Sequence, residues 1–384
     1  MISENKKQIL EGSQAIAQVI KNLRPAVVSA YPITPQTHIV EKLAKLKADG
    51  EADYEYVRAE SEFAAASIIL GASATGVRVY SATSSQGLLL MSEVIFNIAG
   101  MRLPIVMTTA NRAVSAPINI WNDHSDVMAV RDAGWIQLFA SDNQEAVDLH
   151  ILAYKIAEQL KLPVMVNVDG FILTHAFEPV IVSSQNLIKK YLPDYKPTPG
   201  TYLDPNNPVT LGAFFTPAHY FETREELHND LVASASIIKK EYRNLVKVLG
   251  RKNKDNGLFE YYGAKKPETI LVALGSVIGT IREAAQDNKK IGVLKIKTYR
   301  PFPEEEINKI LLRAKNIAVI EKAISLGQAG PLYSDIKSSL RNNKLNISNY
   351  IVGLGGRDVT TKMINKIIIS ARENNKKTKF IGKI

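Results

Sequence analysis

Thr34 carries the lone hydroxyl between Pro32 and Pro35 in the stretch Tyr31-Pro32-Ile33-Thr34-Pro35, which follows an apolar run over residues 26–30. The two prolines pin the backbone, and such a loop at the carboxyl end of a parallel strand is where α/β proteins meet substrates; a plain structural turn is the alternative. Glu62 precedes Phe63-Ala64-Ala65-Ala66 at an expected helix start. A carboxylate there favours the positive end of the helix dipole. Facing an alanine-lined interface, it can also hold a proton and hydrogen-bond a heterocycle nitrogen, because burial raises its proton affinity. Arg112 follows Thr108-Thr109-Ala110-Asn111 at an expected strand end. Its planar fork suits a small carboxylate substrate, and ion pairs to Asp123, Asp126 or Asp132 are the structural alternative. In Thr83-Ser84-Ser85-Gln86-Gly87 the hydroxyls are placed to cap the following helix, and Gly87 permits close backbone approach.

Other chemistries lack their residues. The chain has no cysteine, so it holds no disulfide, zinc thiolate or iron-sulfur cluster of its own; electron transfer would need clusters on another chain. Asp123 and His124 are adjacent with no further histidine at metal-ligand spacing, so no metal site is expected and His124 reads as tying its loop. Gly275-Ser276 lacks the flanking pattern of a nucleophile elbow. Neither a dinucleotide fingerprint nor a phosphate loop is complete, which disfavours an independent NAD enzyme.

The formal charge is +10, yet the lysines are scattered: Lys189-Lys190, Lys239-Lys240, Arg251-Lys252 and Lys376-Lys377 lie without interleaved aromatics. That pattern argues against nucleic acid and for a solvated surface or an acidic protein partner. No apolar run reaches the roughly 18 residues of a membrane span, and Met1 to Leu10 shows no secretory signal, so a cytoplasmic location is expected.

These groups must be positioned by the elements between them. Short apolar runs over 26–30, 54–57, 77–81, 103–108, 135–140 and 163–169 alternate with helical patterns over 12–20, 37–48, 62–73, 86–99 and 143–159. The alternation predicts an α/β fold, a mostly parallel sheet covered by helices on both sides. Residues 182–223 read as a long proline-rich excursion of the kind that wraps a neighbour or covers a site. Helical texture returns over 224–248, and the polar run 250–257 marks a boundary. A second alternating unit follows, with strands over 269–274, 291–297, 317–320 and 350–354 and a last helix over 360–373. Two domains are expected, 1–250 and 258–384.

Taken together, Tyr31 to Pro35, Glu60-Ser61-Glu62, Thr83 to Gly87, Leu89-Leu90-Met91-Ser92-Glu93, Asn111-Arg112 and Asn122-Asp123-His124-Ser125-Asp126 resemble the alpha subunits of the 2-oxoacid:ferredoxin oxidoreductase family, the pyruvate:ferredoxin oxidoreductases in particular. Tyr299-Arg300-Pro301-Phe302-Pro303 and Gly327 to Pro331 extend the likeness into the second domain. The resemblance implies a thiamine-diphosphate pyrimidine-binding-like domain followed by a transketolase C-terminal-like domain. Thiamine diphosphate would sit at the interface with a beta subunit, with Mg2+ and 4Fe-4S clusters on partner chains, coenzyme A as cosubstrate, separate gamma and delta subunits, and ferredoxin as electron partner. It also implies that Glu62 contacts the aminopyrimidine N1' and that Thr34 and Arg112 bind the 2-oxoacid carboxylate, with Tyr31, Ser84, Asn111, Asp123 and His124 in the surrounding loops. The implied reaction is oxidative decarboxylation of pyruvate to acetyl-CoA and CO2, in either direction, only within a complex. Alternatives are another 2-oxoacid, such as 2-oxoglutarate or oxalate, and a non-catalytic docking subunit.

Overall fold

The computed structural model describes residues 6–252, 255–340, 345–373 and 378–383. Its strands in chain order are β1 (Gln8–Glu11), β2 (Val27–Ala30), β3 (Glu55–Arg58), β4 (Val79–Thr83), β5 (Val106–Asn111), β6 (Ile136–Phe139), β7 (Val164–Asp169) and β8 (Phe177–Val180). There follow β9 (Phe259–Gly263), β10 (Thr269–Ala273), β11 (Ile291–Ile296), β12 (Thr298–Arg300), β13 (Asn316–Glu321), β14 (Asn346–Ile351) and β15 (Lys379–Phe380). A seven-stranded sheet runs β12-β6-β7-β5-β4-β2-β3 and is parallel except for β12 on β6. A six-stranded sheet runs β15-β14-β13-β10-β11-β9, antiparallel only at β9. β1 and β8 form a separate antiparallel pair. The α/β class with mostly parallel sheets matches the expectation from the alternating pattern.

Burial on both faces explains why the strands read as apolar runs. Helices Gly12–Leu23 and Asn143–Leu160 cover one face of the larger sheet with Ile16, Val19, Leu149 and Tyr154. Glu62–Ala74 and Ser92–Gly100 cover the other with Ala65, Ile69 and Ile95. That second cluster continues through Trp135, Phe139 and Tyr299 into Leu294, Leu332 and Ile336, so the two sheets share one apolar core.

Several boundaries depart from the pattern for local reasons. The stretch expected as strand from residue 103 pairs only from Val106, since Pro104 offers no N–H to a ladder. The helix expected over 86–99 is two, Ser85–Leu90 and Ser92–Gly100, joined at the buried Met91, whose ψ of −7° interrupts the helical ladder. The excursion 182–223 is not continuous: Ser184 caps a short helix, Gln185–Tyr191, by accepting the Leu187 N–H at 3.3 Å. Pro217 then opens a 33-residue helix, Pro217–Leu249, earlier than its apolar periodicity indicates, because proline at the first turn forfeits no hydrogen bond. Met1 to Asn5, Asn253, Lys254, Lys376 and Lys377 lie outside the described residues.

Polar ties join the halves besides the β12–β6 pairing. Glu145, in the first turn of the helix Asn143–Leu160 that Asp142 caps, lies 2.8 Å from both Lys295 in β11 and Lys297 just beyond it. Burial would raise its carboxyl, but the two ammonium groups outweigh burial and hold it well below the usual carboxylate range. Asp169, 1% exposed at the end of β7, accepts from Lys322 Nζ at 2.8 Å and from the Ser276 N–H at 3.0 Å, and its other oxygen lies 2.7 Å from His124 Nε2. Lys322 spends its remaining donors on Asn122 Oδ1 at 2.9 Å and Ser276 Oγ at 3.0 Å. Burial would push the Asp169 carboxyl up, yet Lys322 and His124 hold it well below its ordinary value.

Removing one member of a buried pair strands its partner's charge, at about 3–5 kcal/mol. Lys322→Met is therefore expected to lower the unfolding free energy by about that amount in denaturant titrations. Lys322→Met combined with Asp169→Leu removes both charges and should recover a large part of the loss; a double variant as unstable as the single one would contradict the pairing.

Candidate active site

The loops that follow β2, β3, β4, β5 and β7 gather at the carboxyl ends of one parallel sheet. The chain passes from β2 outward to β3 and then crosses back to β4 on the other side of β2, so strand order reverses between β2 and β4. Such a reversal opens a crevice at the carboxyl ends, the common ligand position of open α/β sheets. Thr34 lies beyond β2, Glu62 beyond β3, Ser84 beyond β4 and Arg112 beyond β5.

Glu62 opens the helix Glu62–Ala74, whose capping residue Ser61 accepts the Ala64 N–H at 3.1 Å. The cap and the helix dipole fix the carboxylate in the first turn. Its side chain is turned inward and the residue is 7% exposed. A Cβ on Gly87 would lie 2.6 Å from both Glu62 Oε1 and Thr83 Oγ1, so these groups share one small space that only glycine leaves open. Thr83 Oγ1 is buried there without a hydrogen-bond partner. Beside this recess Phe63, Leu90 and Phe96 remain exposed, an apolar rim around a buried acid.

Arg112 reaches the loop bearing Thr34. Its Nη1 donates to the Thr34 carbonyl at 2.9 Å and its Nε to the Asn119 carbonyl at 2.9 Å. Ion pairing to Asp123, Asp126 or Asp132 is absent among the described contacts of the guanidinium; Asp126 instead accepts the backbone N–H of Arg112 at 2.9 Å. Three N–H donors on Nη1 and Nη2 stay available to a carboxylate. Burial lowers the guanidinium's pKa, partly offset by Asp126. Thr34 and Tyr31 are exposed at the mouth of the crevice. Gln36 secures their loop, donating from Nε2 to the Ala82 carbonyl at 2.5 Å.

Asp126, one of the three acids offered as an ion-pair partner for Arg112, has a different role, bonding backbone rather than the guanidinium. It is fully buried and gathers the N–H groups of Ser85 at 3.0 Å, Arg112 at 2.9 Å and Val127 at 2.7 Å, with Asn111 Nδ2 at 3.2 Å. One carboxylate thus locks the turn after β4 to the loop after β5. Ser84 does not cap its helix as its type suggested: its hydroxyl donates to the Ala110 carbonyl at 2.6 Å, a second tie between the same segments. Asn111 is buried in β5, its Oδ1 unpartnered. Asp123 and His124 turn away from the recess. Asp123 Oδ1 accepts from Ser125 N at 2.9 Å, and His124 joins Asp169 in the tie to the second half, the loop-holding role its neighbours suggested. A separate cleft of about 860 Å³, between Trp135, Leu227 and Phe302, lies where the chain enters β6 and contains none of these residues.

The family described as pyruvate flavodoxin/ferredoxin oxidoreductase, thiamine diP-binding, matches residues 18–243, and that described as pyruvate:ferredoxin oxidoreductase core domain II matches residues 267–364. The chain is 48% identical over 368 residues to pyruvate synthase subunit PorA of Methanocaldococcus jannaschii, covering 94% of each. It is 40% identical over 384 residues to ketoisovalerate oxidoreductase subunit VorA of Pyrococcus abyssi, covering 98% of this chain and 95% of that one. A solved structure of 2-oxoglutarate:ferredoxin oxidoreductase from Magnetococcus marinus, with 2-oxoglutarate, coenzyme A and succinyl-CoA bound, shares the fold with a TM-score of 0.70. That likeness holds at 21% identity over 96% of this chain and 66% of the other.

Burial pushes the Asp126 carboxyl up to about 6, against its three backbone donors and with help from Asp123. An unfolded aspartate titrates near 3.9. Between about pH 4 and pH 6 the native state keeps a proton that the unfolded state has released, so this group's contribution to stability is largest in acid and falls as pH rises through the window. Two pH units correspond to about 3 kcal/mol. Denaturant unfolding at several pH values across that window should show a negative slope component in the parent that Asp126→Asn removes; equal slopes in both proteins would rule it out.

Proposed function

The chain belongs to the pyruvate flavodoxin/ferredoxin oxidoreductase family, and on that premise we propose that it is the alpha subunit of a complex converting pyruvate to acetyl-CoA and CO2 with electrons passed to ferredoxin. In this reading the crevice at the carboxyl ends of β2 and β4 receives the pyrimidine end of thiamine diphosphate where a beta subunit covers it. The observation that carries the assignment is the Glu62–Thr83–Gly87 recess: a buried carboxylate, an unpartnered hydroxyl and a missing Cβ fit the edge of a planar, hydrogen-bonding ring. When bound, thiamine diphosphate supplies a carbon nucleophile for the 2-oxo group and an electron sink for loss of CO2.

This chain's residues do the rest of its share. Glu62 holds and exchanges a proton at its carboxylate against a ring nitrogen, in a setting that burial keeps from solvent competition. Arg112, steadied by the carbonyls of Thr34 and Asn119, turns its free N–H groups to the substrate carboxylate, and the exposed Thr34 on the same loop offers that carboxylate a hydroxyl. Arg112 has to orient that carboxylate without stabilising the bound acid more than the transition state. Phe63, Leu90 and Phe96 form the apolar rim that a beta subunit would dry. A chain without cysteine leaves the 4Fe-4S clusters to partner chains, and Mg2+ and the diphosphate fall to the beta subunit, with gamma and delta subunits completing a cytoplasmic complex. Pyruvate is the substrate assigned because the PorA relatives reach 48% identity, against 40% for the ketoisovalerate relative.

In the assembled complex Glu62→Gln keeps size and some hydrogen bonding but cannot exchange a proton. Exchange of the thiazolium C2 hydrogen should slow by about 10²–10⁴-fold while the complex still forms. A normal exchange rate would remove Glu62 from this role even if turnover fell.

Arg112→Lys retains the charge and loses the fork. Losing a hydrogen bond to a charged group is worth about 1.5–3 kcal/mol, so the KM for pyruvate should rise roughly 10–100-fold with thiamine diphosphate still bound. Unchanged pyruvate kinetics would leave Arg112 with only its ties to Thr34 and Asn119. Anaerobic turnover of pyruvate beside 2-oxoglutarate and branched 2-oxoacids then tests the substrate itself.

A further inference from the structure

The geometry points to a binding site for one divalent transition-metal ion, such as Zn2+, formed by Glu11, His38 and His175 on the flank of the crevice. The three come from separate elements: Glu11 ends β1, His38 lies in the first turn of the helix Thr37–Ala48, and His175 lies between β7 and β8. One donor atom from each falls within 4.8 Å of the others. His38 Nδ1 and Glu11 Oε1 are already 2.6 Å apart, and the two imidazole rings are tilted by 34° with centroids at 4.5 Å. Ligands about 2.0–2.2 Å from zinc lie roughly 3.3 Å from one another, so small side-chain rotations close the set around an ion.

The surroundings favour binding. Thr174 Oγ1 lies 2.8 Å from His175 Nδ1, which fixes the ring and leaves Nε2 for a metal. Phe171 packs on that ring with centroids at 4.6 Å. Glu11 is 8% exposed, while the His38 side chain is 47% exposed and gives the ion an entry and a water-filled fourth position. The sulfur-free donor set suits Zn2+, Ni2+ or Co2+. Occupancy ties β1 and the segment after β7 to the helix that begins three residues beyond Thr34. Pro35 already packs there on Gly170, where a Cβ would lie 2.6 Å from its Cγ. The site stiffens the loop bearing Thr34 from behind, and it stands or falls independently of the catalytic assignment.

The test uses the full chain with whatever partner chains copurify, stripped with a chelator and dialysed. Titration calorimetry with Zn2+ should give one tight site per chain, and Co2+ should give the visible absorption of a low-coordinate N/O site. Glu11→Gln, His38→Gln and His175→Gln should each weaken binding by more than about 100-fold, and Thr174→Val by about 10–100-fold. His228→Gln, exposed on the long helix, should bind as the parent does. Because the His38 side chain is about half exposed its variant should keep the fold, and Zn2+ should raise the melting temperature of the parent but not of His38→Gln. No tight Zn2+ site in the parent, or a site that survives His38→Gln and His175→Gln together, overturns the proposal.

Discussion

The buried carboxylate of Asp169 holds the arrangement on which the candidate site depends. Its position at the end of β7 puts it under the loop after β5 and against the second sheet at once, and every donor around it comes from one of those two places. A lone carboxylate so deeply buried would be prohibitively costly; with Lys322 fully satisfied beside it the cluster becomes an orienting device. His124 and Asn122, held by this cluster, anchor the far end of the loop whose near end is Arg112. Asp126 fixes that near end. The guanidinium is thereby suspended between two buried acids that never touch it.

Legibility in the sequence followed the range of the interactions. The alternation of apolar runs and helical periods reports local burial, and it read the α/β class and most elements correctly. Thr34 stood out as a hydroxyl between two prolines, Glu62 as an acid at a helix start and Arg112 as a cation at a strand end, and all three follow strands of one sheet within a few residues, which brings them to its carboxyl ends. Asp126 misled because an acid near an arginine suggests an ion pair, whereas its true partners are backbone N–H groups that no side-chain pattern announces. The Asp169 cluster draws on residues 122, 124, 276 and 322, and only the packed fold sets such separations. The start of the 33-residue helix was hidden in an aromatic and proline-rich segment whose Phe214, Tyr220 and Phe221 remain exposed and give no burial period to read.

Charge and apolar surface divide the labour around the recess. The acid of Glu62 is delivered by a helix start, an economical way to bury a carboxylate because the dipole and the Ser61 cap stabilise the position before any ligand arrives. The surrounding helices also leave apolar side chains, Phe63, Leu90 and Phe96, uncovered. An exposed apolar rim around a buried ionisable group suits a contact surface better than a solvated one.

β12 pairs with β6, so three residues from the second half close the edge of the first half's sheet. During synthesis the larger sheet therefore cannot be completed until residue 298 has left the ribosome, long after β6 and β7 have emerged. Until then β6 presents an open hydrogen-bonding edge, the kind that recruits foreign strands. The late arrival of one short strand makes the amino-terminal half a poor candidate for independent folding, and gives chaperones a defined interval in which they are needed.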